Sequence, residues 1–387
     1  MLSSILLIII ISTILIELNH KFRIYSPLTI KPKEFKKQIL ERKQKYIALL
    51  EISNIHQRME VMIPFFKINP HLIGISNADL ISIHTTIKPI RPDEEEQTND
   101  YWDAYILKSQ KSTFVQVEIE YEIKKKAIAN LKCLWLEIEW GNYGPFGFLT
   151  RFDGLVLPNY NNTNKEKQSA SNSVDPIKTH ILGTLDDPIT ILKSYLPNDY
   201  LPTDIITIGE SPLAIMQGEY IDYRNINVSS IARILCKGFH PTSSLASACG
   251  MQTLINISGP TRIIMSWLVG GICKFFGVRG VFYRLAGEQA RLIDDITGTT
   301  PPYDKSIVLG PKDTNSFCEK ASKELQVNVA VVDVNDLGRV KILSTNNINN
   351  TEIIKRLLST NPAGNANQLT PIVLIRQDAI STKSHDS

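Results

Sequence analysis

Val327 to Arg339 reads VNVAVVDVNDLGR, and this stretch decides the architecture of the C-terminal half. A run of apolar, mostly β-branched residues ends in Asp333, Asn335 and Asp336, with Gly338 and Arg339 behind them. Such a run, bounded by turn residues, predicts a short buried strand. A carboxylate at the C-terminal end of a strand faces the crevice where α/β sheets bind ligands. Hard divalent cations take oxygen ligands, and Mg²⁺ uses one or two carboxylates beside phosphate oxygens. Gly338 would let a phosphate approach the backbone, and Arg339 would neutralise it. The same residues also suit a plain hairpin whose Asn and Asp make the turn.

Outward from this strand the pattern alternates. DIITIGE (Asp204 to Glu210), IVLG (Ile307 to Gly310) and PIVLIR (Pro371 to Arg376) are further short strands. Between them, DDPITILKSYL predicts a helix with Asp186 or Asp187 near its cap and Pro188 at its start. Ser316 to Leu325 and Glu352 to Leu358 predict two more helices. The result is an α/β (α+β) domain over 177–378. Ile263 to Phe276 (IIMSWLVGGICKFF) is apolar enough to suggest a membrane contact. Lys274, Arg279 and Arg284 interrupt it before about 20 residues accumulate, so a buried or interfacial helix is expected instead.

A second acidic cluster, ARLIDDITGTTPPYD (Ala290 to Asp304), sets Asp294 and Asp295 before the hydroxyls and flexible backbone of Thr297 and Gly298. Arg279, Arg284 and Arg291 supply counter-charge upstream, although helix caps and a Pro-Pro turn explain much of the pattern. HPTSSLASACGMQ (His240 to Gln252) is dense in small hydroxyl residues, yet no P-loop occurs anywhere. Cys249 has no base in a recognisable pattern beside it, which favours a structural thiol.

The first half differs in character. STFVQVEIEYEIK (Ser112 to Lys124) and LKCLWLEIEW (Leu131 to Trp140) alternate apolar and polar residues, which predicts an all-β sandwich-like domain over 51–158. The Asn- and Ser-rich stretch within 159–176 reads as a linker. Upstream, Lys31 to Leu50 places Phe35, Ile39, Ile47 and Leu50 at helical spacing and predicts a basic amphipathic helix within 21–50. Residues 1–20 carry an apolar run of about fifteen residues with basic residues behind it, which predicts a short membrane anchor and a cytoplasmic bulk. A buried first strand or helix is the alternative. Residues 379–387 read as a disordered tail. Across 387 residues, 42 Lys and Arg nearly balance 39 Asp and Glu, for a net charge of +3, so there is no nucleic-acid footprint. Five cysteines without CxxC spacing favour a reducing compartment.

DIITIGESPLAIMQGEYI, ARLIDDITGTTPPYDKSIVLGPKD, VAVVDVNDLGR and NPAGNANQLTPIVLIR occur in an order and spacing that resemble the coenzyme F-420 γ-glutamyl ligase family. The resemblance covers about half the chain and leaves the first half outside the family, as an extra domain. It implies an amide ligase in which GTP (or ATP) activates a carboxylate acceptor for attack by L-glutamate or another amino acid. It also implies Mg²⁺ or Mn²⁺ held by Asp294 and Asp333, with catalytic roles for Asp336 and Arg339. Gly338, Thr297, Gly298 and Arg291 would contact the nucleotide, and the family's dimers imply a homodimer. Pro212, Leu213 and Ala214 stand where the family carries a serine-lysine pair. The competing reading is therefore a catalytically reduced, membrane-anchored binding or scaffold protein on the ligase fold.

Overall fold

The computed structural model describes residues 2–21, 27–40, 43–93, 101–144, 147–158, 173–335 and 338–376. The expected tail, most of the linker and Asp336 lie outside the described residues. The chain divides into two compact units, one of 1–68, 84–120 and 138–151, the other of 69–83, 121–137 and 152–387.

The N-terminal helix is α1 (Leu2–Lys21), with exposed side chains from Ser4 to Ile16. Among the described residues, no helix is long and apolar enough to cross a membrane, so the expected anchor is not found as a span. Among the described residues, nine strands follow: β1 (Leu28–Leu40), β2 (Lys43–Asn54), β3 (Val61–Ile63), β4 (Phe66–Ile73), β5 (Leu80–Ile90), β6 (Tyr105–Leu107), β7 (Ser112–Ile123), β8 (Cys133–Gly144) and β9 (Gly147–Pro158). They form two sheets, one ordered β1-β2-β7-β5 and one β4-β8-β3-β6 with β9 on β8, as a sandwich-like region. Period two decides these elements: Tyr46, Ala48, Leu50 and Ile52 bury one face of β2, and Val115, Val117 and Ile119 one face of β7.

The basic amphipathic helix expected before residue 50 is therefore a strand hairpin, with β1 antiparallel to β2. The helical spacing of Phe35, Ile39, Ile47 and Leu50 is outweighed by the strict alternation of the buried residues on β2. Lys33 keeps its head at the surface in pairing with Glu51, and Lys45 pairs with Glu118. The β-region thus starts near Leu28 rather than at 51.

The C-terminal elements are β10 (Val174–Ile177), α2 (Pro188–Tyr195), β11 (Ile205–Gly209), α3 (Glu210–Met216), β12 (Tyr220–Asp222), α4 (Ser230–Leu235), α5 (Ala248–Ser258), α6 (Pro260–Phe275), α7 (Val281–Ala286) and α8 (Gln289–Leu292). After these come β13 (Asp294–Asp295), β14 (Ser306–Val308), α9 (Thr314–Leu325), β15 (Asn328–Val334), β16 (Val340–Thr345), α10 (Thr351–Leu358) and β17 (Ile372–Ile375). One sheet runs β10-β17-β11-β15-β16, with β11 parallel to β15; a small sheet runs β12-β14-β13.

Alternation sorts the larger sheet into two faces. Ile206, Ile208, Val329, Val331, Ile372 and Leu374 pack in one core with residues of α2, α3 and α9. Ile205, Ala330, Val332, Val373 and Ile375 pack in another with Ile354 and Leu358 of α10. Helices on both faces explain why these strands read as continuous apolar runs. Asp187 caps α2 by accepting from the Thr190 N–H, with Pro188 first in the helix. The helices α4 to α8 enclose a third core around Met251, Leu254, Ile263 and Phe282.

Candidate active site

Parallel pairing of β11 and β15 builds the candidate site. Gly209 is registered with Val332, so the chain leaves both strands at the same edge. The next residue on each is a carboxylate: Glu210, which opens α3, and Asp333, which faces Lys341 across the β15–β16 pairing. This edge is the carboxyl end of a parallel pair, where open α/β sheets bind ligands. Asp294 enters from β13, and its Oδ1 accepts a hydrogen bond from the Ser244 hydroxyl at 3.2 Å.

The three carboxyls share one electrostatic environment. Burial pushes Glu210 up to about 8, the charges of Asp333 and Asp294 add to the rise, and Lys341 opposes it. Burial also raises Asp294, reinforced by Asp333 and Asp295 and opposed by the Ser244 hydrogen bond. Asp333 is raised by burial and drawn back by Lys341 and Arg339. Glu210 is only 7% exposed, and its buried Oε2 has no hydrogen-bond partner among the described residues. An unpartnered buried carboxylate oxygen is costly, and a bound cation would relieve it.

The expected site residues therefore separate. Asp294 and Asp333 are near enough for the charge of Asp333 to raise Asp294, and Arg339 acts on Asp333. Gly338 and Arg339 close the β15–β16 hairpin: both backbone N–H groups bond to Asn335, at its carbonyl and its Oδ1 respectively. Gly338 sits at φ +74°, a conformation that favours glycine, so the turn itself accounts for it. Thr297 and Gly298 lie in an exposed turn, where the Thr297 N–H bonds to Asp295 and the Gly298 N–H to the Asp304 carbonyl. Arg291 lines an open cleft of about 690 Å³ with Arg262 and Arg284, and none of the three carboxylates borders it. Cys249 has its thiol pushed up by burial and by Asp295, the opposite of an activated nucleophile.

Glu210, Lys341 and Ser244 were not singled out in the sequence. Glu210 ends the strand DIITIGE as Asp333 ends VNVAVVD, so one rule applied to both strands finds both. Among the described residues, no three His, Cys, Asp or Glu side chains stand close enough to form a metal-ligand group. The carboxylates can supply one or two ligands at a time, which is the number Mg²⁺ takes beside phosphate.

A second polar constellation lies in a cavity of about 230 Å³ in the larger unit, bordered by Trp135, Glu137, Asp153, Tyr220, Arg224 and Lys305 among others. Burial alone would raise Glu137, but hydrogen bonds from Lys305 and Arg224 hold it at about 2. Asp153 is pushed up to about 7 by burial, against the Gly154 N–H and with help from Asp222. Arg224 also stacks 3.7 Å over the Phe152 ring and forks onto Asp222. The two basic groups here are matched by Glu137 and Asp222, as in a structural ion network.

Comparison with known proteins bears on the first half of the chain. No curated protein matches it. Similar solved structures include the GAE domain of GGA2p from Saccharomyces cerevisiae, at 12% identity over 35% of this chain and 96% of that one, with a TM-score of 0.21. The yeast GGA1 GAE domain is similar at 13%, 35%, 96% and 0.21. A FixG-related protein from Vibrio parahaemolyticus is similar at 7%, 34%, 96% and 0.20. Residues 29–161 match the family model for the N-terminal Ig-like domain of F420-0:gamma-glutamyl ligase. The β-region, which the C-terminal motifs leave outside the resemblance, is thus the part of the chain that is similar to an Ig-like domain of this family.

Proposed function

We propose that the chain is a divalent-metal- and nucleotide-dependent amide ligase of the F420-0:gamma-glutamyl ligase type, joining an amino acid to a carboxylate acceptor. The observation that carries this reading is the trio Glu210, Asp294 and Asp333 at the carboxyl edge of the β11–β15 pair, with an orphaned Glu210 oxygen. The Ig-like match over 29–161 supports the family relationship from the other half of the chain.

The donor set fits Mg²⁺ or Mn²⁺: hard oxygen ligands, excess negative charge and one oxygen without a partner. Asp294 and Asp333 would hold the ion, with Glu210 beside them. When bound, it would offset charge on the phosphoryl oxygens of GTP or ATP. Lys341 holds Asp333 towards its ionised form, as a ligand must be. Ser244 fixes the orientation of Asp294 through its hydrogen bond. Arg339, exposed on the hairpin, is placed to meet an anionic group approaching Asp333. A protonated Glu210 is a proton store near neutral pH and is suited to act as a general base once ionised.

The exposed apolar side chains of α1 support attachment to a membrane surface, and the basic residues that follow it would keep the remaining chain on the cytoplasmic side. A homodimer follows from the family resemblance. The second reading, a binding or scaffold protein on the ligase fold, rests on Pro212, Leu213 and Ala214 standing where the family carries a serine-lysine pair. Calorimetric titration of the full chain with GTP and with ATP, each with Mg²⁺ or Mn²⁺, separates the two. Metal-dependent nucleotide binding that disappears in Asp333→Asn is expected. Binding of neither nucleotide would overturn the ligase reading and leave the scaffold.

A further inference from the structure

From Tyr223 through Gly287 the chain contains seven Lys and Arg residues and not one Asp or Glu. In a protein whose acids and bases nearly balance, this one-sided stretch coincides with α4 to α7. The same segment carries most of the exposed large apolar side chains of the larger unit.

The middle helix, α6, is apolar on two faces. Ile263 and Ser266 are buried, and Gly270 lies so close to α7 that a Cβ there would meet Phe282 Cβ at 2.9 Å. That face belongs to the core. On the other side Met265, Leu268, Val269, Ile272, Phe275 and Phe276 follow one another at spacings of three and four. Their exposure is greatest at the C-terminal end, where Phe275 is 87% and Phe276 75% exposed against 36% at Val269. Beyond Phe276 the chain turns through Gly277 at φ +85° and Gly280 at φ +80°. The N–H groups of Phe276, Gly277 and Val278 all bond back to the last turn of α6, so the turn is ordered while Phe275, Phe276 and Val278 remain outside it. Around the stripe stand Arg262, Lys274, Arg279 and Arg284, all exposed. None of the four forms an ion pair among the described residues.

The geometry points to a lipid-binding face: the α6–α7 hairpin inserts its Phe275–Phe276 tip and the α6 stripe into the interface of an anionic bilayer, with the surrounding basic residues on the head groups. An exposed apolar stripe of this kind marks a contact surface, and Phe residues rimmed by Lys and Arg match the composition of interfacial helices. At 16 residues with charged ends, α6 is too short to span and suited to lie in the plane. Charge decides the occupant. A two-fold contact with a second copy would bring two predominantly basic surfaces together, with Glu288 at the edge of the Arg262–Arg284 cleft as the acid beside four basic residues. Anionic lipid meets both the charge and the stripe.

Hydrogen–deuterium exchange of the full chain reads this face separately from α1, which could bind vesicles on its own account. With vesicles of phosphatidylcholine and phosphatidylglycerol, amides of 264–285 are expected to slow by at least about tenfold. Vesicles of phosphatidylcholine alone should produce little change, and raised salt should weaken the effect. The double variant Phe275→Ser/Phe276→Ser, altered only at exposed positions, should lose the protection while its other amides exchange as before. Vesicle-bound protein without protection at 264–285 overturns the proposal, as does failure to bind vesicles at all. Protection that appears without lipid and grows with protein concentration also overturns it, in favour of a second copy.

Discussion

Replacing Glu210 by Gln tests the carboxylate cluster directly. In the folded chain the Glu210 carboxyl is pushed up to about 8, from an ordinary value of 4.5, by burial first and then by Asp333 and Asp294. Between those two values the folded state holds a proton that the unfolded state has released, so this group makes stability fall as pH rises. Below 4.5 both states are protonated and the penalty is absent; above about 8 it is complete. At about 1.4 kcal/mol per tenfold change in proton affinity, the ceiling is about 5 kcal/mol. Because the three carboxyls titrate as a group and relax together, an observed difference of about 2–3 kcal/mol is the realistic expectation. Gln keeps nearly the same volume and has no proton to lose. Denaturant unfolding of both chains between about pH 5 and 9 should show Glu210→Gln gaining steadily on the parent as pH rises. Saturating Mg²⁺ should narrow the gap, since a bound cation favours the ionised carboxylate. A difference that stays constant across the range, or that shrinks with pH, would refute the argument.

Three further outcomes follow from features outside that trio. Lys341→Met removes a cation that draws down both Asp333 and Glu210. Both carboxyls should then titrate higher, read by carboxyl-carbon NMR, with a stability loss of about 1 kcal/mol near neutral pH. Glu137→Gln breaks the pairing with Arg224 and Lys305. Glu137 is held at about 2, so its contribution is present above 4.5 and lost as pH falls towards 2. The variant should lose about 1–2 kcal/mol at neutral pH and show a shallower acid limb in thermal unfolding. Gly154→Ala places a Cβ 1.8 Å from the Trp135 ring, an overlap that only displacement of that ring or of the strand would relieve. A loss of about 3 kcal/mol, seen as a lower Tm, is expected; an unchanged Tm would show that Trp135 can move aside.

The C-terminal architecture was legible because its signals are local. VNVAVVD and DIITIGE are short, continuous apolar runs, and burial on both faces of one sheet is what such runs describe. Asp187 and Pro188 likewise marked the start of α2. The segment 31–50 misled because Phe35, Ile39, Ile47 and Leu50 fit a helical period, whereas the buried set on β2 is Tyr46, Ala48, Leu50 and Ile52. Both periods fit one short stretch, and only pairing with β1 decides between them. The site was half legible. Asp294 and Asp333 stood in motifs, but their partner Glu210 becomes a partner only through the parallel register of two distant strands. Arg291, chosen for its charge and proximity in sequence, projects to another cleft because α8 ends before β13 begins. The β-region showed its strands but not its similarity to the Ig-like domain model, since alternation specifies a face and carries little family-specific information.

The pairing of β11 with β15 also has a kinetic consequence. Ile205 meets Asn328, so the two carboxyl-bearing strand ends come together only after the whole intervening chain has been looped out. The β15–β16 hairpin, by contrast, closes across a few residues. Loop-closure entropy puts the hairpin early and the parallel pairing late. Asp333 and Lys341 thus find each other long before Glu210 arrives. Under the proposed function, divalent-cation affinity during refolding should lag behind hairpin formation and report the moment at which the sheet is completed.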